Sequence, residues 1–196
     1  SEAVTLAAAQ LGLPPEALPA PVAELVRQRA EGNPFHAEEL VAALRDRGLI
    51  RLESAEDGTV RCRFAGDPAQ GLPALPTTLQ DVILARIDRL APECQVVLKV
   101  GAVIGRTFAY RTLRAALQHH AAMDDPALAA HLQTLDALDL APLETPYPDA
   151  IYSFKHSMIQ EVAYQTLLFA QRRQLHRTVA EWYEQTFGTD THTLAA

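Results

Sequence analysis

The chain of 196 residues has only two cysteines, Cys62 and Cys94, and no CxxC pair or Cys/His spacing suited to a metal. Free thiols in a cytosolic protein are the economical reading, without a disulfide framework or a structural zinc. No apolar run reaches the roughly eighteen residues that a membrane-spanning helix requires. No basic segment followed by an apolar run opens the chain, so a secretory signal is not expected. Aromatic residues make up 6% of the chain, and alanine is abundant, a balance that favours helices over sheets.

The catalytic vocabulary is equally thin. There is no Gly-x-x-x-x-Gly-Lys-Ser/Thr loop and no acidic strand end to hold magnesium, so this chain alone is not expected to hydrolyse ATP. A Gly-x-Ser-x-Gly elbow and a His-Glu-x-x-His pair are both absent. Cations are missing in one place in particular: from Ala115 through Phe154 there is no Lys or Arg. With a net charge of −7, this argues against nucleic acid as a partner, because a duplex-binding surface must neutralise phosphates.

Nearly half of the residues (48%) are apolar, which marks globular material able to bury a core. The most informative stretch is residues 31–50. A helix runs into Glu31-Gly32, the chain turns through Asn33-Pro34, and a second helix is expected with Glu38 and Glu39 in its first turn. Asn33 can cap that helix, and Pro34 suits its first position. The corner offers rigid backbone and a flat pyrrolidine edge, suited to lie against a planar ligand.

The residues before the corner are helix-compatible over 1–11, broken by Gly12 and prolines 14, 15, 19 and 21, then helical from Val22 to Ala30. The second helix is expected over Phe35–Arg47, with Gly48 as its C-terminal glycine. Leu49–Glu53 and Thr59–Phe64 alternate around Glu56-Asp57-Gly58 and predict a two-stranded hairpin. Ala65–Pro76, rich in Gly and Pro, is the candidate linker.

Beyond it the spacing predicts helices over Thr77–Leu90 (capped by Thr77 or Thr78), Pro92–Val103, Phe108 or Tyr110 to Leu117, and Pro126–Leu140. Gly101 and Gly105 are candidates for close backbone approach. Residues 143–154 read as two short strands with a Pro-rich tip. Two further helices, His156–Leu168 and Arg172–Phe187, follow, the second with Leu175, Val179, Trp182 and Tyr183 as its apolar face. The expected fold is mainly α: a helical subdomain with a small hairpin (1–64), a linker (65–76), a winged-helix domain (77–168), and the beginning of a helical-repeat region (169–196).

Three segments in this order, Gly32-Asn33-Pro34-Phe35, Leu75-Pro76-Thr77-Thr78-Leu79-Gln80 and the run 152–176 around Phe154-Lys155-His156, carry a family resemblance. Over roughly residues 11–187 the chain resembles the C-terminal part of a STAND-type signalling ATPase module, as found in multidomain proteins that often carry an adenylate or guanylate cyclase domain. The resemblance implies a non-catalytic regulatory fragment that clamps ATP or ADP (with Mg) bound by an upstream P-loop domain. Its state would pass to downstream repeats and an output domain in the cytoplasm. The Gly-x-Pro element near the adenine falls on Gly32, Asn33 and Pro34. The late histidine that touches the ADP β-phosphate falls on His156, although the family's better-known Met-His-Asp reads Lys155-His156-Ser157 here.

Blander readings stand beside these. The corner can be purely architectural, and His156 can cap a helix or fill a partly buried pocket. His119-His120, with no third ligand nearby, read as surface histidines. Arg172, Arg173, His176 and Arg177 read as a solvated helix face, where the resemblance places the start of the repeats. The alternative functions are a helical protein–protein scaffold without a nucleotide role and a winged-helix DNA-binding regulator. The latter would use 126–140 as recognition helix, and that segment carries Asp136 and Asp139 and no cation.

Overall fold

The computed structural model describes residues 2–54, 60–65, 78–118 and 123–188. Among these are nine α-helices and five short strands, so the mainly helical expectation holds. The chain divides into two compact units, Ser1–Arg86 and Ile87–Ala196. Most of the expected linker, the Glu56-Asp57-Gly58 turn, His119-His120 and residues 75–77 of the second motif lie outside the described residues.

The first unit begins with α1 (Glu2–Gln10), which lies against α2 (Ala20–Arg29) and α3 (Pro34–Asp46). Its buried residues are Ala3, Val4, Ala7 and Ala8, mostly small. Pro21 does not break α2; it sits in the first turn, where its missing N–H leaves no bond unmade. Ala7, Val22, Val26, Ala37, Val41 and Leu44 are fully buried at the centre of this core, and each larger side chain there contributes about 1.5–3 kcal/mol. Helix α3 ends as expected at Gly48, where Gly48 N–H donates to Arg45 O and Leu49 N–H to Leu44 O. Strands β1 (Ile50–Ser54) and β2 (Val60–Phe64) form the expected antiparallel hairpin, with Ile50 opposite Phe64 and Leu52 opposite Cys62.

Helix α4 (Leu79–Ile87) starts at a cap supplied by Thr78, whose hydroxyl accepts from Asp81 N–H at 3.1 Å. It is fastened to α3 in two ways. Val82 packs with Leu40 and Ala43, and Arg86 is held between two α3 carboxylates. The Arg86 side chain is 1% exposed; its Nη1 lies 2.5 Å from Glu39 Oε2 and its Nε 2.8 Å from Asp46 Oδ2. Burial alone would lower the guanidinium pKa, but the two carboxylates and their hydrogen bonds outweigh it and the net shift is upward.

The second unit runs α5 (Pro92–Ile104), β3 (Thr107–Ala109), α6 (Tyr110–Gln118), α7 (Asp125–Ala137), β4 (Leu143–Thr145), β5 (Ile151–Ser153), α8 (Ser157–Gln165) and α9 (Phe169–Phe187). The three strands form one antiparallel sheet in the order β3-β5-β4. Strand β3 was not expected; it occupies the three residues before Tyr110, the later of the two starts expected for the next helix. It carries Phe108, whose ring stacks on Tyr152 at 5.9 Å and meets Phe154 at 5.6 Å. Gly101 on α5 makes room for this ring: a Cβ there would lie 3.0 Å from Phe108 Cε1. Gly105 follows the helix as its C-terminal cap.

Helix α9 starts three residues earlier than expected. Its buried residues are Leu175 and Val179, and Tyr183, expected on the same face, is 43% exposed.

Arg86→Ala would leave the Glu39 carboxylate, 3% exposed, without its ion partner, while Asp46, 11% exposed, keeps Arg45 at 4.0 Å. An uncompensated buried charge of this kind typically costs about 3–5 kcal/mol, and a loss in that range is expected in urea unfolding. Adding Glu39→Leu and Asp46→Leu to Arg86→Met should recover most of it; a loss under about 1 kcal/mol for Arg86→Ala would show that water reaches the site.

Candidate functional site

The chain makes the predicted corner with two consecutive residues in the left-handed region, Glu31 at φ 48° and Gly32 at φ 79°. Glycine is needed at 32 for its backbone, since nothing lies within 4 Å of a Cβ built there. Ala30 O accepts from Asn33 N–H at 2.7 Å, which closes the turn. Asn33 then caps α3: its Oδ1 accepts from Phe35 N–H at 3.0 Å and His36 N–H at 3.4 Å. Pro34 is the first helical residue. Glu38 and Glu39 therefore stand in the second turn and not in the first, because the helix begins at the proline itself.

Gly32, Asn33, Pro34 and Phe35 are all exposed. Gly32 and Pro34 line a cleft of about 410 Å³ together with Glu2, Ala3 and Leu6 of α1 and Arg27 of α2. This is within the size range of small-ligand pockets. Its walls are apolar side chains and backbone, with one carboxylate and one guanidinium at the rim, and Arg27 pairs with Glu24.

His36, in the first turn of α3, was not singled out in the sequence. It is 7% exposed, and its Nε2 has no hydrogen-bond partner among the described residues. Burial lowers its pKa below 6.5, with Glu31 opposing and Arg29 reinforcing the shift. Its spacing to Leu40, four residues on along the same helix face, was the available signal.

His156 belongs to the second unit. It is half-buried and precedes α8 in extended conformation, and its carbonyl accepts from Ile159 N–H at 3.0 Å. It is the N-cap residue of α8, without a side-chain cap hydrogen bond. Its neighbours are firmly placed. Phe154 is buried at 1% with its N–H on Arg106 O. Lys155 bonds Leu140 O through its backbone and Asp139 through its ammonium at 3.3 Å. Asp139, at φ 55°, ends α7 where glycine is usual. Among the described residues no group of three or more His, Cys, Asp or Glu could hold a metal ion.

A family profile described as a domain of unknown function, DUF8739, matches residues 1–61, the segment that contains α1 to α3, the corner and His36. No curated protein and no solved structure matches the chain.

Gly32→Ala places a Cβ in the left-handed region, which costs about 1 kcal/mol; a matching fall in urea-unfolding stability is expected, and an unchanged value would mean the corner relaxes to another turn. His36 sets a pH dependence whose sign follows from its lowered pKa. As pH falls below about 6.5 the unfolded chain takes up the proton first, so stability drops there and levels off above about pH 7.5. Urea midpoints at about pH 5.5 and 7.5 should differ less in His36→Gln than in the parent chain; equal differences would remove His36 as the cause.

Proposed function

We propose that this chain is a regulatory, non-catalytic part of a nucleotide-switched signalling ATPase. In this reading, ATP or ADP with Mg is bound by an upstream P-loop domain of the parent protein. The corner at Gly32, Asn33 and Pro34 lies against the nucleotide base, and His156 donates to a phosphate oxygen. Exchange or hydrolysis alters these contacts, and the change passes to downstream repeat and output domains, a nucleotide cyclase being one possibility within the resemblance. The setting is cytoplasmic, and the partners are domains of the same protein, not nucleic acid or membrane.

The observation that carries the reading is the exposed corner. A proline fixed at the first position of a capped helix, beside a glycine held at φ 79°, presents a flat apolar edge at a ligand-sized cleft. The order α5-β3-α6-α7-β4-β5 with its β3-β5-β4 sheet supports assigning the second unit as a winged helix, and α8 with α9 supports a helical repeat beginning there. Against a DNA-reading role, α7 carries no lysine or arginine; Asp136 near its end accepts from Leu143 N–H, and Asp139 just beyond it accepts from Lys155. A second reading, a helical protein–protein scaffold, is favoured by the exposed Leu168, Phe169, Tyr183 and Phe187 on and beside α9.

The two readings separate in the parent protein. A hydrogen bond to a charged phosphate oxygen is worth about 1.5–3 kcal/mol, so His156→Ala should speed release of a fluorescent ADP by at least about tenfold. Pro34→Ala should weaken its binding. Unchanged release and affinity in both variants would leave the scaffold.

A further inference from the structure

The second unit holds a pocket that neither the corner nor His156 uses. About 250 Å³ in volume, it opens between α5 and the turn from α8 into α9. Val96, Val100, Leu167 and Leu175 supply apolar walls, and the last three are buried. An apolar cavity of about 150 Å³ takes a benzene ring, so in proportion this space takes a body of about ten heavy atoms.

The turn that forms one wall is tied down from several sides. The Thr166 hydroxyl donates to Ala163 O at 2.6 Å, and Leu167 N–H to Tyr164 O at 3.1 Å. Leu168 N–H donates to Gln171 Oε1 at 2.9 Å. Arg172 donates to Leu167 O and Gln165 O, and its guanidinium lies 4.6 Å from the centre of the Tyr164 ring. The wall is thus in place before a ligand arrives, and preformed apolar walls with a few placed polar groups are the usual make-up of a small-molecule site.

Two of the polar side chains lining this pocket offer donors. The Lys99 ammonium has the neutral Gln95 Oε1 at 3.4 Å, and no carboxylate pairs with it among the described residues. The Gln171 Oε1 is taken by Leu168 N–H, which leaves its amide N–H groups to donate. A cation and an amide donor beside apolar walls match a ligand that is anionic at one end and apolar at the other. Lys99 is the one cationic side chain in the lining. It answers a single negative charge, whereas a phosphate dianion would bring a second charge with no partner there.

We propose that this pocket binds a small free carboxylic acid with an aromatic or branched aliphatic body. Its carboxylate meets Lys99 and Gln171, and its body lies against Val100, Leu167 and Leu175. The site is independent of the nucleotide reading, since it shares no residue with the corner or with His156.

The test is a titration of the whole chain with 3-phenylpropionate, followed through the methyl resonances of Val100, Leu167 and Leu175, beside 3-phenylpropanamide as the uncharged counterpart. The acid should give saturable shifts with a Kd between about 0.1 and 1 mM, as befits a ligand of this size. Lys99→Met keeps the apolar stem and removes the charge. It should bind the acid at least about tenfold more weakly and the amide as the parent does, and Lys99→Arg should restore the acid to within about threefold. Val96→Phe, at a half-buried position, should exclude both ligands by filling the space. Circular dichroism checks that each variant keeps its helices. No saturable shift at these methyls up to about 10 mM acid, or equal acid affinity in the parent and Lys99→Met, would overturn the proposal. So would a peptide ending in phenylalanine that binds at least about tenfold more tightly than 3-phenylpropionate, because the site would then read polypeptide C-termini.

Discussion

A guanidinium closed off from water between two carboxylates is the constraint on which the first unit depends. Burying three charges costs several kcal/mol per ion before pairing, and only close contacts repay it. Arg86 meets Glu39 and Asp46, two turns apart on α3, so α4 has one position along α3 and one rotation about its own axis. An apolar contact such as Val82 on Leu40 and Ala43 could slide; the ion triad cannot. Helix α3 is thereby held on two sides, by the α1–α2 core through Ala37, Val41 and Leu44 and by α4 through the triad. What is left exposed is its start, Pro34 and Phe35, and that is where the corner sits.

The corner itself stores backbone strain. A left-handed glutamate costs about 1 kcal/mol, where asparagine or glycine would cost less. Glu31 is exposed and at φ 48° all the same. Strain that a simple turn could have avoided is an observation from which a functional hypothesis can start. Here it leads to Pro34 and Gly32 facing a cleft, and to a buried histidine one turn away whose charge the surroundings resist. The matched family profile covers residues 1–61, which include the corner and the α1–α2 core behind it but not Arg86.

What was legible in the sequence was local. Asn33-Pro34, Gly48 and Thr78 announce helix ends because cap chemistry acts across two or three residues, and the structure uses all three. The β1–β2 pair was legible because its alternation lies within fifteen or so residues. Strand β3 was not, because three residues acquire strand geometry only by pairing with Ile151–Ser153, far along the chain. Arg86 stood in phase with an apolar stripe, a signal that it is buried, but its partners are forty and more residues away. The corner of the candidate site could thus be read directly, whereas the burial of His36 could not, since one histidine in an apolar phase looks like an interruption until the helix beside it is in place.

Helix α9 shows how periodicity can conceal a second message. Leu175, Val179, Trp182 and Tyr183 read as one face, yet the structure buries the first two, half-buries Trp182 and turns Tyr183 outward. Its charges are harder to explain from the helix alone. The macrodipole favours acids in the first turns and bases in the last, and α9 has the reverse, with Arg172, Arg173 and Arg177 early and Glu181 and Glu184 late. Arg172 is accounted for by the carbonyls ending α8, which it caps. Arg173 and Arg177 gain nothing from the dipole, and the late glutamates lose by it. Part of that order is offset within the helix itself, where Arg177 lies 3.7 Å from Glu181 one turn on.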